Sequence, residues 1–183
     1  MNGRFRTIEE RYGTAIEASD LTMHPERGGP VDTLTAAGMV GVMHPLAMEL
    51  WRWVYGDDAN ARHEVLCGLV KWMRAQSRAR RWDKDKSIVE VTVVVADWYR
   101  NRVCNVCHGV SYELIPGTPM LSDVPCPACH GNGERSLDKL LTQFGGSWIS
   151  RGKILREHMD ELSSMARNAM MRKMKRDIDD AGL

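Results

Sequence analysis

The chain has 183 residues, which is enough to bury a hydrophobic core in one domain or in a main domain with an appendage. Hydrophobic residues make up 43% and charged residues 27%, as in ordinary soluble proteins, and no apolar run approaches membrane-spanning length, which argues against a role in a bilayer. The net charge of +1 hides an uneven distribution. Residues 1–64 carry six basic and ten acidic side chains, residues 71–86 carry seven and two, and residues 135–176 carry ten and four. Such asymmetry suggests a nucleic-acid-binding half, although most charge runs are solvated helix faces.

The first 32 residues are predicted to form a flexible N-terminal segment. Residues 7–19 can make a short helix within it. Residues 23–30 contain two prolines and two glycines and show no periodicity, which is typical of a loop or linker.

Residues 33–102 are predicted to form a helical N-terminal part. Thr33–Tyr55 is rich in Ala, Met, Leu and Trp, and Pro45 favours the start of a second short helix there, because proline is well tolerated in a first helical turn. Asp57 or Asp58 can cap the following helix. The apolar residues of that helix follow the 3.6-residue period: Val65, Leu66, Leu69, Val70 and Met73.

Residues 88–102 combine two conflicting patterns. Their run of valines favours a strand by propensity. Ile88, Val91, Val95 and Trp98 nevertheless share one helical face. We expect a helix, with Trp98 and Tyr99 as core residues rather than stacking platforms for bases.

Residues 103–134 contain the most specific pattern of the chain, two Cys-x-x-Cys pairs separated by eighteen residues. This spacing is typical of a zinc site with four thiolate ligands, because two tight knuckles complete a tetrahedron. A glycine follows shortly after each pair and suits a backbone turn with positive φ. The pattern predicts one structural Zn²⁺ ion, held by Cys104, Cys107, Cys126 and Cys129.

Three other interpretations of the cysteines are weaker. A disulfide framework is disfavoured because the N-terminus does not resemble a secretory signal. Both pairs read Cys-x-x-Cys-His, as in haem attachment, but two haems would need export and further axial ligands. A thioredoxin-like pair would need a βαβ context. The fifth cysteine, Cys67, lies in an apolar stretch and is predicted to be a core residue.

Residues 135–183 are predicted to form a helix-turn-helix-like segment and a C-terminal helix. Ser136 can cap a short helix over Leu137–Phe144, Gly145-Gly146 breaks it, and Ser147 can cap a long helix from about Trp148 towards Arg176. An ordinary αα-hairpin with a basic face fits equally well. In a helix-turn-helix the start of the second helix contacts DNA, which predicts these DNA-binding residues: Ser147, Ser150, Arg151, Lys153 and Arg156.

The sequence thus predicts a mainly α fold with an inserted four-cysteine zinc-knuckle module. No Ser-His-Asp set, phosphate loop or paired-carboxylate site stands out, so we expect no enzyme activity and no small-molecule substrate.

In their order along the chain, these features resemble the Q antitermination proteins of bacteriophage lambda and its relatives. The resemblance covers roughly residues 32–164. It rests on Ala36–Met39, on a helix ending Ala96-Asp97-Trp98-Tyr99-Arg100, on the two knuckles with their glycines, and on Trp148-Ile149-Ser150-Arg151. The first knuckle departs from the usual form, because Ser111 stands where a second glycine is expected. Ile149 is inserted relative to the family pattern.

The resemblance implies a transcription antiterminator in the cytoplasm of a bacterial host. Such a protein binds double-stranded DNA at a phage late promoter, loads onto RNA polymerase paused nearby with its sigma factor, and makes it read through terminators. DNA contact is then expected in residues 135–156, with help from the zinc module. The acidic N-terminal half, with Trp51 and Trp53, is a candidate for protein contact, although these tryptophans fit a core equally well. The alternative is a DnaJ-like zinc-knuckle co-chaperone, since repeated Cys-x-x-Cys-x-Gly-x-Gly knuckles also occur there.

Overall fold

The computed structural model describes residues 7–18, 30–82, 87–115, 117–118 and 120–180. Within these residues the chain is mainly helical. The described residues form seven α-helices, which are α1 (Ile8–Glu17), α2 (Pro30–Met43), α3 (Pro45–Tyr55), α4 (Ala61–Ala79), α5 (Ile88–Arg100), α6 (Leu137–Leu141) and α7 (Gly146–Asp180). A single 3-10 turn (Thr142–Phe144) follows α6, and two short antiparallel strands, β1 (Tyr112–Leu114) and β2 (Leu121–Pro125), form a hairpin.

The chain divides into two compact units. The first contains residues 1–71 and 157–183, and the second contains residues 72–156. The division therefore falls inside α4 and α7, and the cysteine pairs, the hairpin, α5, α6 and the start of α7 all belong to the second unit. No helix in the described part of the chain combines the length and the apolar character needed to cross a bilayer.

The N-terminal helices of the first unit begin where the sequence indicates. Thr7 caps α1 through a capping box, in which its hydroxyl accepts a hydrogen bond from the Glu10 backbone and the Glu10 carboxylate accepts one from Thr7. Pro30 is the first residue of α2, so this helix starts three residues before the predicted boundary. Pro45 opens α3 as predicted. The predicted loop over residues 23–30 lies, apart from Pro30, outside the described residues.

Tryptophans fill the core of the first unit. Trp51 and Trp53 are 0% and 1% exposed, and the Trp51 indole N–H donates a hydrogen bond to the Ser163 carbonyl at 3.0 Å. Tyr12 and Tyr55 pack against the Trp51 ring. These tryptophans are therefore core residues, which is one of the two roles that the sequence predicted for them.

The periodicity predicted for α4 is present in the structure. Val65, Leu69 and Met73 are fully buried. Before the helix, the Asp58 carboxylate accepts a hydrogen bond from the Asn60 backbone N–H at 2.9 Å, which organises the turn that leads into α4.

Residues 88–100 form a helix, so the prediction from helical periodicity is confirmed over the propensity for strand. The face that contains Val91, Val95 and Trp98 is buried. The buried Thr92 hydroxyl donates to the Ile88 carbonyl at 2.7 Å, which satisfies this polar group within the helix. Trp98 and Tyr99 are both core residues, as predicted.

The short helix, the glycine break and the long helix predicted after the cysteines are all present, but the predicted cap of the long helix is wrong. The Ser136 hydroxyl caps α6 by accepting a hydrogen bond from the Lys139 backbone N–H. Gly145, with φ of +98°, ends the short helical segment. The helix α7 begins at Gly146, so Ser147 lies inside its first turn and the prediction that Ser147 caps it was wrong.

Candidate metal centre and basic groove

The four predicted ligands come together in one cluster. Cys104, Cys107, Cys126 and Cys129 are all buried, and their sulfur atoms all lie within 4.8 Å of one another. The sulfurs of Cys107 and Cys129 are 3.6 Å apart. Zinc–sulfur bonds of about 2.3 Å in a tetrahedron place sulfurs about 3.8 Å apart, whereas a disulfide needs about 2.05 Å. The sulfur geometry fits a metal ion and does not fit disulfides.

The fifth cysteine lies apart from this cluster. Cys67 is a free, partly buried thiol in α4, with its sulfur 3.6 Å from Nε2 of His63. It occupies a semi-buried helical position, so the predicted core role holds only in part.

Each Cys-x-x-Cys pair is followed by the same unusual backbone. His108 and Gly109 have φ of +49° and +86°, and the matching His130 and Gly131 have +53° and +83°. The third left-handed position of each turn is also matched, because Ser111 has φ of +73° and Gly133 has +72°. We refer to residues 104–111 as the first knuckle and to residues 126–133 as the second knuckle.

Reciprocal hydrogen bonds join the two knuckles. The Cys104 N–H donates to the Gly133 carbonyl at 2.8 Å, and the Cys126 N–H donates to the Ser111 carbonyl at 2.9 Å. The first ligand of each knuckle is thus held by the last residue of the other. The two knuckles form one unit with approximate twofold symmetry in its hydrogen bonding.

Backbone N–H groups near the sulfurs favour thiolates. The N–H groups of Cys107 and then Val106 lower the pKa of Cys104 from the ordinary value of 9.0 to about 7. In the second knuckle, the Gly133 N–H donates to the Cys129 sulfur at 3.2 Å. Because thiolates are the metal-binding form of cysteine, these donors prepare the cluster for a cation. Four protein ligands also leave no open position for water or substrate, as in structural sites.

A groove of about 580 Å³ lies beside the second knuckle. Four basic side chains line it, two from the segment around α6 and two from the start of α7. They are Arg135, Lys139, Lys153 and Arg156. We call this the basic groove. Glu134 and Asp138 also line it, so the basic side chains outnumber the acidic ones.

Two of the predicted DNA-binding residues line the basic groove. The Lys153 ammonium lies 2.8 Å from the Asp138 carboxylate. The Arg156 guanidinium lies 3.7 Å from the Glu134 carboxylate and stacks 5.4 Å from the centre of the Trp98 ring. These contacts hold both cationic groups at the groove while leaving them partly exposed to solvent.

The other three predicted residues do not line the groove. Ser147 and Ser150 are exposed in the first turns of α7, where the Ser150 hydroxyl donates to the Ser147 carbonyl at 2.9 Å. The Arg151 guanidinium lies over two tryptophan rings, 5.0 Å from the centre of Trp82 and 4.8 Å from that of Trp148. This stacking gives Arg151 a packing role that its sequence position does not reveal.

Sequence reasoning missed Arg135 and Lys139, which belong to the groove. Both are part of the basic segment over residues 135–176. That charge run was the available signal, but it did not distinguish basic residues beside the second knuckle from basic residues farther along α7.

Neither protein-family models nor curated proteins give a match to this chain. What the site binds is therefore inferred from the chemistry of its residues. A closed cluster of four thiols lies beside a groove in which four basic side chains outnumber two acidic ones.

Proposed function

We propose that this protein is a zinc-dependent transcription antiterminator that binds double-stranded DNA at a phage late promoter. It then loads onto promoter-proximally paused bacterial RNA polymerase, with sigma factor still bound, and makes the enzyme read through terminators. The observation that carries this proposal is the basic groove next to the metal centre. The order of motifs that resembles the lambda-like Q family supplies the regulatory role.

Zinc is the metal that suits the cluster best. It prefers four tetrahedral ligands and binds thiolates strongly, and its structural sites use all four positions. The ion would hold the two knuckles together and would supply no chemistry. The protein would then act by binding and not as an enzyme, in the cytoplasm of the bacterial host.

The DNA-binding part of the proposal uses α6, the turn at Gly145 and α7 as a helix-turn-helix. Ser150 lies at the start of α7, where side chains of the second helix reach base edges in such motifs. The groove cations are suited to phosphate contacts, because a phosphate can replace the carboxylates that now pair with Lys153 and Arg156. Affinity based on such contacts falls steeply with salt, which would help the protein to leave DNA for the polymerase.

Terminator read-through by purified bacterial RNA polymerase tests this function. The template carries the late promoter nearest to the gene of this protein, followed by a terminator, and a matched template carries an unrelated promoter. We expect the zinc-loaded protein to raise read-through on the native template only. A folded, zinc-loaded preparation that leaves termination unchanged on both templates would contradict the proposal.

A variant pair tests the basic groove in the same system. Replacing Lys153 and Arg156 by Ala should weaken DNA binding and lower the slope of log affinity against log salt by roughly 2, about one for each lost phosphate contact. Arg172→Ala is the matched control, because Arg172 is an exposed cation of α7 outside the groove. Equal slopes for the double variant and the control would exclude the groove as the phosphate-binding surface.

A zinc-knuckle co-chaperone is the second candidate function. It is favoured by the exposed apolar side chains that the zinc module carries, among them Val106 and Met120 at 63% and 64% exposure. It predicts that the protein suppresses aggregation of an unfolded client and has no preference for promoter DNA. Specific DNA binding without suppression of aggregation would exclude it.

A further inference from the structure

Exposed apolar side chains are concentrated on one small part of this protein. Of the fifteen large apolar side chains exposed in the described part of the chain, eight lie between Val103 and Val124. Five of the eight belong to the β1–β2 hairpin. They are Tyr112, Ile115, Met120, Leu121 and Val124, with exposures from 39% to 64%. We call these five, together with the exposed Glu113 and Asp123, the hairpin surface, which includes both faces of the hairpin because neighbouring strand residues point to opposite sides.

The metal centre anchors the base of the hairpin, where its two strands begin and end. Cys107 lies a few residues before β1 and Cys126 directly follows β2, and the Cys126 N–H donates to the carbonyl of Ser111 next to β1. At the other end, the Ile115 N–H donates to the Met120 carbonyl at 2.9 Å. An isolated two-stranded hairpin is marginal in water. Attachment to a four-thiolate metal site makes this one a pre-organised surface, which lowers the entropic cost of binding.

Both strands of the hairpin also have an outer edge. Its sheet contains only β1 and β2 in the described chain, so each strand pairs on one side only. An unpaired edge presents backbone N–H and C=O groups that can accept a further strand. The hairpin therefore offers both apolar side chains and backbone hydrogen bonds to an extended segment.

Charge narrows the choice of partner. Residues 103–133 contain no lysine or arginine, and their two acidic residues, Glu113 and Asp123, are both exposed. A zinc ion with four thiolates adds a further formal charge of −2. At the hairpin, none of whose residues lines the basic groove, this negative charge disfavours DNA and anionic lipid, and it disfavours a second copy of the same hairpin through like-charge repulsion. A partner with basic and apolar side chains is complementary to it.

We propose that the hairpin surface docks an extended protein segment that carries both apolar and basic side chains. The segment adds along an edge of the hairpin, where its apolar residues contact exposed apolar side chains and its basic residues contact Glu113 on one face or Asp123 on the other. The assignment of this segment to RNA polymerase rests on the proposed function. The preference for apolar and basic side chains rests only on the chemistry of the hairpin surface. The second unit then separates its two contacts, with DNA at the basic groove and protein at the hairpin.

Two variants of the full-length zinc-loaded protein test this inference. Met120→Ser combined with Val124→Ser removes apolar surface, and Asp123→Lys reverses a charge. Val42→Ser is the matched control, because Val42 is an apolar side chain with 85% exposure far along the chain from the hairpin. Zinc content and promoter-DNA binding are measured for each variant to confirm that the metal centre and the basic groove remain intact.

The first readout is polymerase binding and read-through. We expect both hairpin variants to lose about tenfold or more in polymerase affinity, as for residues at the centre of an interface, with DNA affinity and the control unchanged. Hairpin variants that bind polymerase and support read-through like the wild type would overturn the inference while leaving the proposed function standing.

The second readout does not depend on polymerase. Fluorescence anisotropy compares a labelled peptide of alternating Val and Lys with one of alternating Val and Glu. We expect the wild type to prefer the Val–Lys peptide and Asp123→Lys to lose that preference. Absence of the preference in the wild type would overturn the inference, whether or not the protein acts on transcription.

Discussion

The two knuckles of the metal centre have the same turn backbone, and of their three left-handed positions only the last carries different residues. Both turn through three left-handed residues, and the third is Ser111 in the first knuckle and Gly133 in the second, with φ of +73° and +72°. A left-handed conformation costs about 1–2 kcal/mol for a residue with a Cβ atom. The first knuckle therefore adopts its turn against local preference. The ligands and the reciprocal hydrogen bonds, more than the local sequence, determine this backbone.

The comparison also shows why the second knuckle keeps its glycine. A Cβ atom on Gly133 would lie 2.8 Å from the Gly109 carbonyl oxygen and 3.0 Å from the Ser111 hydroxyl. The first of these contacts is with backbone, which has little freedom to move away. The two positions match in φ but differ in the room that their neighbours leave.

Loss of a zinc ligand should destabilise the protein more than any other change in the knuckles, and by about the same amount whichever knuckle loses it. Structural zinc contributes roughly 10–16 kcal/mol in small zinc-finger peptides, so Cys104→Ser and Cys129→Ser should each lose stoichiometric zinc and unfold at least the module. Zinc content by mass spectrometry and circular dichroism measure this. Cys67→Ser is the control, because Cys67 lies outside the cluster. A soluble Cys129→Ser protein that is active and holds no metal would contradict a structural role for zinc.

Gly133→Ala should have the next largest effect. It combines a left-handed alanine with a contact against the Gly109 carbonyl, so the free energy of unfolding should fall by about 2–4 kcal/mol. Chemical denaturation of the zinc-loaded protein measures the change. Gly117→Ala is the control for conformation alone, because Gly117 has φ of +78° but no atom within 4 Å of an added Cβ. Equal losses at both positions would show that the close contact has no influence.

Ser111→Gly should have the smallest effect and the opposite sign. Removing the Cβ atom relieves the left-handed strain, while glycine gives the unfolded chain more freedom. The first effect is the larger, so the free energy of unfolding should rise by a net amount of about 1 kcal/mol or less. The same denaturation experiment measures it. A loss of stability in this variant would mean that the Ser111 side chain stabilises the folded state by more than its left-handed strain costs. The explanation given for the difference between the knuckles would then be wrong.

Local patterns in the sequence predicted those parts of the structure that depend on nearby residues. Periodicity located the buried face of α5 despite its valines, and the cysteine spacing predicted the complete ligand cluster. The basic groove was predicted only through Lys153 and Arg156. It brings Arg135 and Lys139 beside them from the segment around α6, and the Arg151 guanidinium likewise lies over the ring of Trp82, which comes much earlier in the chain. Such contacts arise from tertiary packing, which leaves no periodic signal in the sequence.

The hairpin sits between the two ligand pairs, and this placement has a consequence for how such a protein can evolve. The bonds that join the knuckles end at Ser111 and Cys126, so they do not involve the tip of the hairpin. The entropy of closing a loop grows slowly with its length, by about 0.6 kcal/mol for each doubling. Insertions and substitutions at the tip therefore leave the metal centre almost undisturbed. Natural variation can change what the hairpin binds while the fold that carries it stays constant.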